Sequence, residues 1–190
     1  MKFPLLLRQR KYEKCLTSHI RRAYRLIGSA TPISADCGQL CGAACCKAPE
    51  GAEAEYGMLL FPGEELLLKG DAHFTLSELP PPKGFSKKVW FAACDGSCDR
   101  KKRPLACRIF PCLPYIPPQS RGNRYAYPAV IRDPRAGIVC PLVARNANHI
   151  EEKFYAAVSK AAASLLSCRE HRRFLLALSA LSDDYLRFLY

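Results

Sequence analysis

Four cysteines stand within ten residues, Cys37, Cys41, Cys45 and Cys46, in the order C-x3-C-x3-C-C. A second set follows at Cys94, Cys98, Cys107 and Cys112, and Cys140 stands further on, directly before Pro141. Nine of the 11 cysteines therefore fall between residues 37 and 140. A 190-residue chain that is 49% hydrophobic can bury a core without covalent staples, so the thiols call for another reason. Tetrahedral zinc takes four ligands and favours thiolate in structural sites, and iron–sulfur clusters take about four thiolates as well. Eight or nine local thiols exceed one such centre. They suit two mononuclear sites, two clusters, or one site plus packed thiols. If residues 37–46 are helical, Cys37, Cys41 and Cys45 share one face and Cys46 is rotated away. If they form a loop, Gly38 and Gly42 give the backbone freedom to wrap a metal. Cys15 and Cys168 lie in helical patterns away from the cluster and read as packing residues.

Charge is segregated along the chain, whose formal net charge is +12. Residues 1–25 carry eight basic residues against Glu13, residues 36–78 eight acids against Lys47 and Lys69, and residues 100–135 nine basic residues against Asp133. Basic segments attract nucleic acid or an acidic protein, and they also compensate thiolates nearby. Arg100, Lys101, Lys102, Arg103 and Arg108 stand among cysteines, where compensation is the local reading. No run of 18 apolar residues predicts membrane insertion. The apolar stretch Phe3–Leu7 is short for a signal peptide, so a cytoplasmic protein with reduced thiols is expected. Phosphate loops, G-x-G-x-x-G and Cys-x-x-Cys redox pairs are absent from the sequence. The four histidines are scattered, and His73 reads as a surface residue.

Apolar residues at three- and four-residue steps from Tyr12 to Ile27 predict a helix over 9–27, ended by Gly28. Residues 57–61, 89–92 and 125–131 read as strands, and 64–69 as a short helix. The five prolines in 104–118 argue against regular helix there. Near the C-terminus, Asn148 is placed to cap a helix over about 149–166, with Ile150, Phe154, Val158, Ala161 and Leu165 on one stripe. Ser167 and Glu170 form a capping-box pattern for a second helix whose apolar face is Phe174, Leu175, Leu178 and Leu181. Ser182 is placed to start a last short turn.

Two stretches carry a likeness to a known family. One is Cys37 to Cys46, ending in the Cys-Cys pair; the other is Arg103-Pro104-Leu105-Ala106-Cys107-Arg108-Ile109-Phe110-Pro111. Together they resemble the CxxCxxCC family of zinc- or iron-chelating proteins, the YkgJ-type cysteine-cluster proteins, over about residues 35 to 141. Here both gaps in the first motif are three residues rather than two, and Cys98-Asp99-Arg100-Lys101 stands where the family has Cys-x-Ile-Tyr. Cys98 and Cys140 are the matches to the family's upstream and later cysteines, with Cys94 a further candidate. The resemblance implies a zinc or iron–sulfur centre. Some relatives are flagellin lysine N-methylases, which adds a redox or methyl-transfer role to the expectations.

The chain is expected to form an α+β fold, rich in irregular loops around a metal centre. A basic N-terminal helix would occupy residues 1–30, the cysteine-cluster domain 31–145 and a C-terminal helical hairpin 146–190. The candidate ligands are Cys37, Cys41, Cys45, Cys46, Cys94, Cys98, Cys107, Cys112 and Cys140, of an iron–sulfur cluster or Zn2+. Arg103 and Arg108 are placed beside them, to donate hydrogen bonds or charge to bound thiolates or to pair with the acidic segment 50–65. Phe110 reads as a core residue. Other expectations are a non-enzymatic zinc module binding nucleic acid or an acidic partner, and metal sequestration or delivery.

Overall fold

The computed structural model describes residues 3–47, 56–96, 99–123, 125–144 and 150–189. Cys98 and the cap assigned to Asn148 lie outside the described residues. The fold is α+β, with a long N-terminal helix, two small antiparallel sheets and a C-terminal helical hairpin.

Helix α1 spans Phe3–Ile27. Leu16, Ile20, Ala23 and Ile27 recur on one side of it and are buried, because that stripe is the only one without charge. Gly28 ends it at φ +53, its N–H donating to the Tyr24 carbonyl at 2.9 Å. Cys15, expected to pack, is exposed, and it lies against the buried Cys168. The short helix α2 (Cys37–Leu40) follows, then a 3-10 turn at Ala44–Cys46.

Strands β1 (Gly57–Leu59), β2 (Phe74–Leu79) and β3 (Val89–Cys94) form an antiparallel sheet in the order β1-β3-β2, with Ala92 opposite both Met58 and Leu76. Helix α3 (Glu65–Leu68) lies between β1 and β2 in the chain. Strand β2 carries no pattern that marks it in the sequence: only Phe74 is buried along it, and Thr75, Ser77 and Glu78 are exposed. It is an edge strand that forms because β3 supplies its hydrogen-bond partners.

Between Pro104 and Pro111 the chain makes one helical turn, α4 (Leu105–Ile109), although the prolines argue against helix. Pro104 sits at the N-cap, where no intrahelical N–H is required, and Pro111 follows the C-cap residue Phe110, to which it is joined by a cis peptide. Strands β4 (Cys112–Tyr115) and β5 (Ala129–Arg132) pair antiparallel, Cys112 opposite Arg132. Helices α5 (Ala136–Val139) and α6 (Pro141–Ala144) flank Cys140.

Helix α7 (Glu152–Leu166) buries Phe154, Val158, Ala161 and Leu165 of the stripe read from the sequence, together with Ala162; Ile150 precedes the helix and is partly buried. Helix α8 runs unbroken over Arg169–Leu189. Ser182 does not restart it: its hydroxyl donates back to the Leu178 carbonyl at 2.9 Å within the helix. Ser167 donates to the Ser164 carbonyl, and Glu170 pairs with Lys87 at 3.4 Å, so the two residues of the capping-box pattern turn to other partners. Leu181, assigned to the apolar face, is 53% exposed. One core takes Ile20 and Ile27 from α1, Leu105 and Ile109 from α4, Phe154 and Leu165 from α7, and Phe174 and Leu175 from α8. Phe174 is its centre, meeting Phe61 and Phe85 edge-on with ring centroids 5.4 Å away in both cases.

Candidate metal centre

The first cysteine segment is shaped by backbone conformation. The Asp36 carboxylate caps α2 by accepting from the Gly38 N–H at 3.0 Å. Gly42 at φ +61 and Ala43 at φ +55 then reverse the chain, and the Ala43 N–H donates to the Gly38 carbonyl at 2.7 Å. A left-handed alanine is costly and persists only where its surroundings impose it. The reversal brings Cys45 back over Cys37 and Cys41. The segment is thus neither the continuous helix nor the open loop, but one helical turn and a 3-10 turn joined by the reversal at Gly42 and Ala43.

Cys37, Cys41 and Cys45 meet Cys107 of α4 and Cys140 between α5 and α6 around one small cavity of about 30 Å3, with Arg100, Arg103 and Pro111 completing its wall. Five cysteines from three distant stretches of chain thus line one cavity. Cys46 faces an adjoining cavity of about 170 Å3 that shares Cys45, Cys107, Arg103 and Phe110 with the first. Phe110, read as core, is only partly buried and lines both. Cys94 and Cys112 line neither. Cys94 ends β3 and its sulfur accepts from the Gly96 N–H at 3.4 Å; Cys112 is buried in the main core. Among the described residues, no group of three or more His, Cys, Asp or Glu side chains is gathered closely enough to hold a metal ion as it stands. The fit is one of donor type: among the described residues the wall carries five soft sulfur donors, two guanidinium groups and no carboxylate.

The electrostatics favour deprotonation unevenly. Burial pushes the Cys37 thiol up, and Arg100 opposes it through charge and a hydrogen bond. The Sγ atoms of Cys45 and Cys46 lie 4.0 Å apart. The hydrogen bond between them, then Arg103, pulls Cys46 below the usual thiol range, while Cys45 is pushed up. One member of the vicinal pair therefore ionises first and the other holds its proton. Burial drives Cys112 up to about 12, which keeps it a neutral core thiol.

The two arginines of the second motif diverge. Arg103 lines both cavities. Arg108 lines neither: it stacks on the Tyr24 ring at 4.0 Å, and donates from Nε to the Arg103 carbonyl at 2.7 Å and from Nη2 to the Lys101 carbonyl. It fixes the peptide that carries Arg103. Arg100, which the motif does not include, takes the place beside Cys37, and also donates to the Ala30 carbonyl at 3.2 Å. Its charge among cysteines was the available signal. His73 pairs with Asp95 at 2.9 Å, away from both cavities.

Beneath the site, Glu64 is completely buried. Its carboxylate accepts from the Tyr24 hydroxyl at 2.5 Å, the Leu105 N–H at 2.6 Å and the Phe61 N–H at 3.0 Å. It thereby joins α1, the β1–α3 turn and the first residue of α4, two residues before Cys107. A buried anchoring glutamate carries no signal in the sequence, where it reads as one more acid at a helix start.

No protein family, curated protein or solved structure compared with the chain matches it. The likeness to the cysteine-cluster proteins rests on the motif residues themselves.

Proposed function

We propose that the protein is a cysteine-cluster metal protein whose centre, zinc or iron–sulfur, is held by thiols from the set Cys37, Cys41, Cys45, Cys107 and Cys140. The observation that supports it is the convergence of these five cysteines, far apart in sequence, on one cavity walled by Arg100 and Arg103. Five is one more than a tetrahedral zinc or a four-iron cluster takes. One site plus packed thiols is the partition that suits this arrangement best, with Cys112 and Cys94 outside the ligand set. Zinc would supply Lewis acidity there, and a cluster electron transfer. The arginines would offset the thiolate charge and orient the sulfurs by hydrogen bonds.

Anaerobic purification with visible absorbance, metal analysis and sulfide analysis tests this. Brown protein with inorganic sulfide is the cluster; colourless protein with stoichiometric zinc and no sulfide is the zinc form. Cys41→Ser and Cys107→Ser should lose metal and with it much of the stability, since ligand binding is coupled to folding. Cys112→Ala should keep its metal. Full metal content in both serine variants overturns the ligand set.

A second reading concerns partners. Arg8, Arg10, Lys11, Lys14, Arg21, Arg22 and Arg25 are all exposed along α1. This basic face favours an anionic partner, nucleic acid or an acidic protein surface. Among the described residues no helix is long and apolar enough to cross a membrane.

A further inference from the structure

The cavity that Cys46 faces adjoins a second one, and the two together make a longer groove. The second, of about 200 Å3, shares Met58, Phe110 and Arg135 with the first and extends along α8 past Leu178 and Leu181 to Tyr185. Its walls are apolar, with Ile109, Leu113 and Leu178 among them. Among the described residues the one acid on either lining is Asp133, which is buried and already committed: it accepts from Arg135 Nε at 2.9 Å and from Nη2 at 2.5 Å. That clamp uses one edge of the guanidinium and leaves Nη1 outside it, on a side chain that is 58% exposed. Arg103 stands on the same inner cavity, beside Cys45, Cys46 and Cys107. The groove is therefore apolar along its length and cationic where it reaches the thiols.

We infer that this groove binds an organic anion with an apolar body, a medium-chain carboxylate in the simplest case, with its chain along α8 and its head group between Arg135 and Arg103. The inference rests on the thiol centre being the reactive end of the molecule, and it names the substrate class of that centre. Burial of the chain supplies the non-directional part of the affinity. The head group supplies selectivity, because guanidinium groups bind carboxylates through charge-assisted hydrogen bonds and repel ammonium groups. Asp133 holds the Arg135 fork in place before any ligand arrives, so little ordering is left for binding to do.

The test uses displacement of the fluorescent dye anilinonaphthalene sulfonate by octanoate, octanol and octylamine, on full-length protein before and after chelation. Octanoate is expected to displace the dye at about tenfold lower concentration than the alcohol or the amine. Leu178→Trp, which fills the groove, should abolish displacement. The double substitution Asp133→Asn with Arg135→Gln removes both charges without orphaning either and should erase the preference for octanoate over octanol. Octanoate should also slow alkylation of Cys46 by N-ethylmaleimide in the wild-type chain but not in Leu178→Trp. Equal competition by all three compounds, displacement that survives Leu178→Trp, or binding that leaves Cys46 alkylation unchanged each overturns the inference. The metal reading fails separately, by metal and sulfide content, and octanoate displacement in chelated protein keeps the two failures apart.

Discussion

His171 is completely buried and its ring makes one hydrogen bond, Nε2 donating to the Pro62 carbonyl at 2.8 Å. Burial is the main cause that lowers it to about 4, and His19, with ring centroids 6.1 Å apart, adds to the effect. The unfolded chain takes up a proton near 6.5 and the folded one only near 4, so stability is lost as pH falls through that interval, by about 3 kcal/mol at most. Chemical denaturation between pH 7 and pH 4 should show this loss, and His171→Gln, which keeps a donor for Pro62, should flatten it. Glu64 titrates the other way. Burial raises its carboxyl above the usual range, so its contribution weakens as pH rises from the ordinary glutamate range toward the raised value. Glu64→Leu leaves the Leu105 and Phe61 N–H groups buried without an acceptor and should cost about 3 kcal/mol or more, read from denaturant midpoints. Neither residue was legible as structural in the sequence. A lone acid and a lone histidine acquire their roles only when residues far along the chain enclose them.

Periodicity made the elements legible where one face is buried and the other wet. The α7 stripe and the end of α1 at Gly28 follow from spacing alone. Helix α8 was legible only at its start, because its second half is held by polar contacts. Ser179 accepts from the Ile116 N–H at 2.9 Å, and Asp183 accepts from the Tyr115 hydroxyl at 2.6 Å and from Arg121 Nη2 at 2.5 Å. These bonds tie the helix to β4 and the turn after it, and no hydrophobic pattern records them. Asp183→Ala should destabilise the fold by about 1–3 kcal/mol. The matching thermal shift should vanish when Arg121 and Tyr115 are also replaced. The turn at Gly63 is similarly tied to tertiary structure. Its φ is +87, and a Cβ there would stand 2.6 Å from the Cβ of Leu16 on α1. Gly63→Ala combines backbone strain with that collision and should cost about 2 kcal/mol or more in a melting experiment.

Across the whole molecule, composition and cysteine clustering pointed to a thiol site, and charge counting pointed to arginines around it. Neither showed which thiols meet. Cys112 lies five residues after Cys107, yet strand β4 turns it into the core while α4 presents Cys107 to the cavity. Cys140, far along the chain, joins the first segment because α5 and α6 fold back against it. Long-range closure of this kind depends on packing between elements, which local spacing does not encode. The charge asymmetry has a readable consequence at this scale. If the exposed basic face of α1 engages nucleic acid, affinity for a single-stranded oligonucleotide should fall steeply and linearly on a logarithmic plot against salt. Replacing Arg21 and Arg22 by Gln should reduce that slope by about 1 to 2. A salt-independent or absent interaction excludes nucleic acid as the partner of this face.

The cavity draws its sulfurs from both ends of a long stretch of chain, and this sets an order of events during synthesis. Cys37, Cys41 and Cys45 leave the ribosome before their neighbours at Cys107 and Cys140 have been made. Helices α7 and α8, which complete the core beneath Cys107, come later still. Until those neighbours are made, Cys37, Cys41 and Cys45 have no thiol opposite them on the cavity wall. Arg100 and Arg103, which line the same cavity, also follow them in the chain. The thiol wall of the cavity is therefore complete only once Cys140 has been made.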